Sequence, residues 1–340
     1  MFVRNCWYVA GWSHDAAPEK IFPARLLGEP IAIYRNAEGT LRAVADRCPH
    51  RFAPLSLGCV EGDGIRCRYH GLKFNAEGQC DEIPGGGPLD AIQPLRHYPV
   101  AEQDSWIWVW MGDHEKADTA LIPRAFGIDN PDFHMRADHF DYKANYMLLN
   151  DNLCDLSHVD FVHEKTLGLA TGGGWSTLPV DIKPVERGLS FKRWFVGQPM
   201  SPTNPKLVDT WNSYFYYVPG IFVMESKSYP HGTAERVEMS EPTEEPITYR
   251  IEQQAVSPVS ETDTRYFYAT GFDARMPEKL LDGIFGMVMA AFAEDKEVIE
   301  AQQLVLHETP ADQKMSYIPH DRGVTMFRRM MERMMREEQA

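Results

Sequence analysis

Two cysteine–histidine pairs near the N-terminus constrain this chain more than any other feature. The first pair is Cys48-x-His50 and the second is Cys67-x-x-His70, with residues 51–66 between them. Zinc modules usually pair cysteine with cysteine and histidine with histidine along the chain. Here each short motif supplies one thiol and one imidazole. If the four residues form one site, the fold must bring together two loops that each carry a cysteine and a histidine.

This alternation fits a two-iron cluster better than a single zinc ion. If both thiolates bind one iron and both imidazoles bind the other, each loop reaches both metals. That arrangement is the Rieske [2Fe–2S] ligation, and we predict it for Cys48, His50, Cys67 and His70. A zinc site and four unrelated residues are the alternatives.

The charge and the apolar runs of the chain argue against several other classes. The 340 residues carry a formal net charge of -15, and no basic cluster stands out, so we expect no nucleic-acid partner. No apolar run approaches the length of a membrane span, and the N-terminus lacks the pattern of a secretory signal. We therefore expect a cytoplasmic protein without a membrane segment.

Short strands separated by turns dominate the first third of the chain. Residues 31–45 alternate apolar and polar positions around the turn-like Asn36–Gly39, which predicts a hairpin. The aromatic run at 105–112 is typical of a buried strand. We predict a first, all-β domain over residues 1–120.

The remainder mixes strand and helix patterns. Residues 144–163 permit a helix, and the glycine-rich run at 168–177 predicts a flexible connection. Strand patterns fill 178–273, and helical patterns follow at 280–307 and in the C-terminal tail. We predict an α+β chain whose second domain covers residues 121–340.

A second candidate metal site lies at the end of the first helical stretch. His158 and His163 are five residues apart, so an ideal helix would turn their side chains about 140° away from each other. One metal ion can bind both only if the helix ends or bulges near 159–162. With a carboxylate, the pair would complete a 2-His-1-carboxylate triad for non-haem iron.

Several motifs resemble one known family. CPHR at 48–51, CRYHG at 67–71 and the opening FVRNCWYVAGW at 2–12 resemble the oxygenase components of Rieske non-haem iron oxygenases. The similar group contains the vanillate O-demethylase, dicamba demethylase and toluenesulfonate methyl-monooxygenase type. The resemblance implies an N-terminal Rieske domain and a catalytic domain of helix-grip type, with helices flanking a central antiparallel sheet. It also implies a homotrimer.

The resemblance assigns further residues of the iron site. Asp295, in the run AFAEDKEV, is implied as the carboxylate ligand, with Glu294 as the neighbouring alternative. Asp155 is implied to link the two metal centres, through an iron-ligating histidine here and a cluster histidine of a neighbouring subunit. Asn152 matches a residue near the iron.

The resemblance also implies a substrate pocket between the central sheet and the iron helices. In dicamba-type members a large aromatic residue stands where this chain has glycine, which predicts a roomier pocket. No arginine stands out as a clamp for a carboxylate or sulfonate. The predicted walls are Phe161, Leu167, Phe222, Gln254, Gly286, Met289 and Ala290.

By resemblance, the chain is a terminal oxygenase acting on a small aromatic substrate. The implied reaction is O-demethylation of a methoxy aromatic or hydroxylation of an aryl methyl group. The implied cofactors are the [2Fe–2S] cluster and mononuclear Fe(II), with O₂ as co-substrate. Electrons would come from NAD(P)H through a separate reductase, since the chain has no GxGxxG fingerprint. Ring dihydroxylation and a pure Rieske electron carrier are the alternatives.

Overall fold

The computed structural model describes residues 1–168, 172–201, 204–310 and 312–339. Two compact units are present. The first contains Met1–Gly127 together with Ser257–Glu261, and the second contains the rest. Of the predicted glycine-rich connection at 168–177, residues 169–171 lie outside the described residues.

The first unit is built from short strands in three small sheets. The sheets have the strand orders β1-β10-β9, β2-β3-β4 and β5-β6-β7-β8. The prediction of an all-β N-terminal domain is therefore confirmed. The strands are β1 Trp7–Trp12, β2 Ile21–Leu26, β3 Glu29–Arg35, β4 Leu41–Ala45, β5 Cys59–Glu61, β6 Gly64–Arg66, β7 Lys73–Phe74, β8 Cys80–Glu82, β9 Val100–Gln103 and β10 Trp106–Trp110.

Local chemistry explains the predicted hairpin and the buried strand of this unit. The side-chain oxygen of Asn36 accepts hydrogen bonds from the backbone N–H groups of Glu38 and Thr40, at 3.1 and 2.8 Å, which closes the turn between β3 and β4. All five residues of β10 are buried. This strand pairs with β1 on one side and β9 on the other, so its aromatic side chains fill the core.

The second unit is organised around one seven-stranded antiparallel sheet. Its strand order is β11-β17-β16-β15-β14-β13-β12. In the central strands β14, β15 and β16, residues that are paired across the sheet direct their side chains to the same face. The strands are β11 Phe133–Tyr142, β12 Asp181–Val185, β13 Gly188–Ser201, β14 Asn204–Tyr217, β15 Ile221–Pro230, β16 Thr248–Pro258 and β17 Thr264–Asp273.

Helices complete the second unit and confirm the predicted α+β class. The long helix α4 contacts β11 and β17 of the sheet and also α1 and α2, while α5 contacts α1 and β13. Among the described residues, no helix is both long and apolar enough to cross a bilayer. The α-helices that lie wholly within the described residues are α1 Tyr146–Cys154, α2 Val159–Val162, α3 Thr233–Arg236, α4 Lys279–Glu308 and α5 Arg322–Glu337.

Candidate metal centres

Two loops of the first unit carry the four predicted cluster ligands. The Cys48 N–H donates to the Ala53 carbonyl at 2.9 Å, and the Cys67 N–H donates to the Leu72 carbonyl at 2.8 Å. Each loop therefore closes over the same number of residues after its cysteine. Matching closure presents the two cysteine–histidine motifs in equivalent positions.

Both loops turn through left-handed backbone four residues after the cysteine. Phe52 has a φ of 58° in the first loop, and Gly71 has a φ of 74° in the second. A Cβ atom on Gly71 would lie 2.8 Å from a ring carbon of Pro84, so the second loop requires glycine. Phe52 adopts this conformation with its side chain 68% exposed.

The thiols and the imidazoles face opposite surroundings. Cys48 and Cys67 are each 2% exposed and belong to an apolar core cluster. His50 and His70 are exposed, and their ring centroids lie 4.5 Å apart. A cluster held here would have its thiolate-bound iron inside the unit and its imidazole-bound iron at the surface.

The ionisation of the buried thiols tests whether these residues fit such a cluster. Burial, with the neighbouring Cys67 thiol, raises the pKa of Cys48 to about 11. A buried thiolate therefore needs a cation beside it, and a bound metal deprotonates its thiol ligands. The donor set of two buried thiols and two adjacent imidazoles fits a [2Fe–2S] cluster.

In the second unit, the structure brings His158, His163 and Asp295 together. One possible ligand atom from each lies within 4.8 Å of the others. Nε2 of His163 is 3.2 Å from Oδ2 of Asp295, and Nε2 of His158 is 3.6 Å from Oδ1. Two imidazoles and one carboxylate at this spacing fit a non-haem Fe(II) ion.

A break in the chain brings the two histidines to one point. Helix α1 ends at Cys154, a 3₁₀ turn covers Leu156–His158, and α2 ends just before His163. The Asp155 carboxylate accepts the Ser157 N–H at 2.9 Å and so caps the new turn. Because α2 ends at Val162 and the backbone of His163 is not helical (φ -105°, ψ 26°), the divergence of about 140° expected on an ideal helix does not apply to this pair.

The outer nitrogen of each imidazole already has an oxygen partner. Nδ1 of His158 lies 2.6 Å from the Asp155 carbonyl, and Nδ1 of His163 lies 2.9 Å from Oε2 of Glu294. Both oxygens can only accept, so each Nδ1 carries the proton and each Nε2 keeps its lone pair for a metal. Glu294 also accepts the Thr166 hydroxyl at 2.8 Å.

The two carboxylates dominate the electrostatics of His163. Burial lowers the pKa of this imidazole, but the hydrogen bonds and charges of Asp295 and Glu294 outweigh burial and leave the pKa above its usual value. His163 is 1% exposed and Asp295 is 5% exposed. A metal dication would compete with the extra proton for the same negative charge.

Asn152 and Asp155 occupy different positions around the triad. Asn152 donates from Nδ2 to Oδ1 of Asp295 at 3.0 Å, and the same atom is 3.4 Å from Nε2 of His158. Asp155 contacts His158 through its backbone carbonyl, while its carboxylate accepts from the N–H and hydroxyl of Ser157. Its predicted link to a neighbouring subunit stays a prediction.

The triad opens onto a cavity inside the second unit. Of the predicted pocket residues, Leu167, Phe222 and Gln254 line it. Met289 does not, and its sulfur contacts the Tyr268 hydroxyl instead. The cavity is lined by Asn152, Leu153, Leu156, His158, Val159, His163, Leu167, Trp175, Phe222, Met224, Arg250, Glu252, Gln254, Phe292 and Asp295.

Besides Met289, three more of the predicted pocket residues lie away from this cavity. Gly286 and Ala290 are exposed on α4 and do not line the cavity. They precede Asp295 by nine and five residues, which places them about 180° and 140° around the helix from it. Phe161, on α2, is 73% exposed and does not line the cavity.

A larger cavity of about 910 Å³ adjoins the iron cavity. Trp175 and Arg250 line both cavities, so these two side chains stand at the junction. Asp160, between the two histidines, accepts the backbone N–H and the hydroxyl of Ser176 at 2.8 and 2.7 Å. Through Asp160, helix α2 therefore holds Ser176, the residue next to Trp175, in place. The sequence alone does not indicate this role.

Known families and relatives match both units. Residues 6–99 match the Rieske [2Fe-2S] domain, and residues 142–337 match the vanillate O-demethylase oxygenase C-terminal domain. The iron-sulfur subunit of a toluene-4-sulfonate monooxygenase system from Comamonas testosteroni is 36% identical, over 99% of this chain and 98% of that protein. The oxygenase component of dicamba O-demethylase from Stenotrophomonas maltophilia is 31% identical, over 88% of each.

A solved structure agrees with these matches. The crystal structure of dicamba monooxygenase with non-haem iron and dicamba has a TM-score of 0.81 and 27% identity, and it covers 99% of this chain and 98% of that one. The matches confirm the resemblance noted from the motifs, together with the cofactors that it implies. The chain therefore belongs to the Rieske non-haem iron oxygenases, in the group that carries the vanillate O-demethylase oxygenase C-terminal domain.

Proposed function

We propose that this protein is the terminal oxygenase of a multicomponent Rieske monooxygenase that oxidises an aromatic substrate. The reaction is O-demethylation of a methoxy aromatic or hydroxylation of an aryl methyl group. The observation that carries the proposal is the convergence of His158, His163 and Asp295 at the wall of a cavity, in a chain that also has the four cluster donors. An electron carrier alone has no need of that cavity.

Four cluster donors and three iron donors are assigned under this proposal. Cys48, His50, Cys67 and His70 would hold the [2Fe–2S] cluster, and His158, His163 and Asp295 would hold Fe(II). When bound, these groups supply single electrons and the activation of O₂. One oxygen atom enters a substrate C–H bond and the other leaves as water. Oxygen insertion at a methoxy carbon gives a hemiacetal that collapses to a phenol and formaldehyde.

The protein's own residues hold the site in position and keep it dry. Glu294 fixes the ring of His163, and Asn152 donates to the oxygen of Asp295 that faces His158. The apolar side chains of Phe222 and Phe292 form cavity walls that limit water around the triad. Substrate carbon must approach from the cavity side, since the outer nitrogen of each imidazole is occupied by protein oxygens.

We further propose a separate reductase and a homotrimer. Both compared relatives carry names that describe a subunit or a component of a larger system, which supports an external source of NAD(P)H-derived electrons. His50 and His70 are exposed in one chain, which supports their packing against a neighbouring subunit near Asp155. The cytoplasmic location stays a prediction.

Product analysis with a matched variant tests the function. With a reductase and NADH, we expect formaldehyde from at least one member of a methoxy-aromatic panel, or a benzylic alcohol from a methyl-aromatic panel. His158→Ala should keep the visible spectrum of the cluster and lose turnover by at least about 10³-fold, since a triad ligand is removed. Full activity in this variant would exclude the assignment.

A further inference from the structure

One polar row crosses the central sheet at the junction of the two cavities. In the strand register, Asn212 on β14 pairs with Ser226 on β15, and Ser226 pairs with Arg250 on β16. All three side chains line the larger cavity, and Arg250 also lines the iron cavity. The row thus places a guanidinium in the same cavity as the metal triad.

Two atoms of this row are buried and unpaired. Within the described residues, Nε of Arg250 and Oδ1 of Asn212 have no hydrogen-bond partner. The amide nitrogen of Asn212, Nδ2, donates a hydrogen bond to the Ser226 hydroxyl oxygen at 2.8 Å. Buried polar atoms are normally paired, so these two atoms show that the polar groups of the row are not fully satisfied by other protein groups.

The charge of Arg250 is only partly balanced by its neighbour. Its Nη2 lies 3.5 Å from Oε1 of Glu252, an ion-pair distance longer than a good hydrogen bond. Burial raises the pKa of Glu252 despite the nearby guanidinium. The Glu252 carboxyl also accepts from Gln254 at 3.0 Å, which leaves Arg250 available to a second anion.

We propose that Arg250 binds the anionic group of the substrate, a carboxylate or a sulfonate, while the carbon to be oxidised lies at the triad end of the same cavity. This inference rests on the proposed function and narrows its substrate to aromatic acids. A guanidinium suits such oxyanions because its N–H groups form a planar fork.

Equilibrium binding without turnover tests the inference. The holoprotein is kept oxidised and without reductase, and the dissociation constant is measured by calorimetry. Two matched probe pairs are used: 4-methoxybenzoate with 4-methoxybenzamide, and toluene-4-sulfonate with toluene-4-sulfonamide. We expect at least one acid to bind the wild type at least about tenfold more tightly than its neutral amide, since charge-assisted hydrogen bonds are the stronger ones.

Variants identify the group responsible. Arg250→Gln should reduce the acid-to-amide ratio to about 1 while the amide affinity changes less than about twofold, and Arg250→Lys should keep part of the preference. Asn212→Asp should weaken acid binding alone, because it adds a negative charge to the row. Arg265→Gln is the control, since Arg265 pairs with Asp141 and lines neither cavity.

Two results would overturn the inference. One is an acid preference that survives in Arg250→Gln with an intact cluster spectrum and unfolding midpoint. The other is a wild-type protein that binds neither acid more tightly than its amide. Neither result affects the oxygenase assignment, which is decided by product formation and by His158→Ala. The carboxylate and sulfonate pairs show separately which oxyanion is preferred.

Discussion

At the scale of single residues, the two imidazoles of the iron site are held by different groups. His158 is oriented by a backbone carbonyl, which no substitution of a side chain can remove. His163 is oriented by Glu294, which in turn accepts a hydrogen bond from Thr166. The second imidazole is therefore the one whose support can be removed by mutation.

We predict that Glu294→Gln lowers Fe(II) affinity by about 10- to 100-fold, the usual effect of removing a group that orients a metal ligand. Iron titration of the mononuclear site, with the cluster spectrum as an internal reference, measures the change. Glu297→Gln is the control, because Glu297 is exposed on the same helix. Equal iron affinities in the two variants would show that Glu294 has no such role.

The residue scale also shows what sequence patterns can and cannot predict. The cluster motif and the His158–His163 pair can be predicted from the sequence because the residues of each proposed ligand pair lie within a few positions of each other. Glu294 lies beside Asp295 in the sequence, and the pattern indicates it only as an alternative ligand, not as the partner of His163. Arg250 was missed because its row is created by the register of β14, β15 and β16, which no local pattern contains.

At the scale of secondary-structure elements, the iron site depends on where helices stop. The sequence permits a continuous helix over 144–163, and the structure divides it at Asp155 into α1, a 3₁₀ turn and α2. The hairpin at Asn36, the strand at 105–112 and the helix at 280–307 followed from periodicity. The His158–His163 spacing required an end or bulge near 159–162, and α2 ends at Val162. The additional break at Asp155 was not predicted, although its carboxylate caps the next turn through a local contact with Ser157.

The link between α2 and the cavity junction leads to a second prediction. Asp160→Ala removes the acceptor of Ser176 and loosens Trp175, so we expect the Michaelis constant to rise by about tenfold, with kcat changed less. Steady-state kinetics and the iron content of the same sample provide the measurement. Asp181→Ala, on the exposed edge strand β12, is the matched control. An unchanged Michaelis constant would contradict the role.

A third prediction concerns acid stability of the second unit. Burial raises the pKa of Asp209, but His231 and the N–H groups of Gly197, Gly232 and Ala234 outweigh burial and leave it below the usual value. The ionised Asp209 therefore contributes to the free energy of unfolding above about pH 4, the ordinary pKa of aspartate. This contribution is lost as the pH falls through the lower pKa that Asp209 has in the folded protein.

Asp209→Asn should remove this dependence. At pH 7 we expect a loss of roughly 1–3 kcal/mol in the free energy of unfolding, because the amide N–H₂ faces backbone donors. Thermal unfolding midpoints between pH 5 and pH 3 should fall less steeply in the variant than in the wild type. Parallel pH profiles for the two proteins would refute the assignment.

At the scale of the whole molecule, the cluster donors and the iron donors lie in different compact units. The proposed trimer predicts a particle of three times the 38.8 kDa chain mass. It also predicts complementation between subunits. Trimers that mix His158→Ala chains with His70→Ala chains should recover activity if electrons cross from one chain to the next, as the proposed trimer requires. Light scattering and mixed refolding test the two statements, and inactive mixed trimers would argue against transfer between subunits.

The polar row has a consequence for how this scaffold can change. The proposed iron donors come from the 3₁₀ turn at Leu156–His158, from the residue that follows α2 and from α4, whereas the proposed anion-binding row comes from strands of the sheet. Single substitutions on β14 or β16 can thus alter which molecules are accepted while leaving the redox machinery intact. Selectivity and reactivity are separately mutable in this architecture, which makes strand positions the natural starting point for redesigning its chemistry.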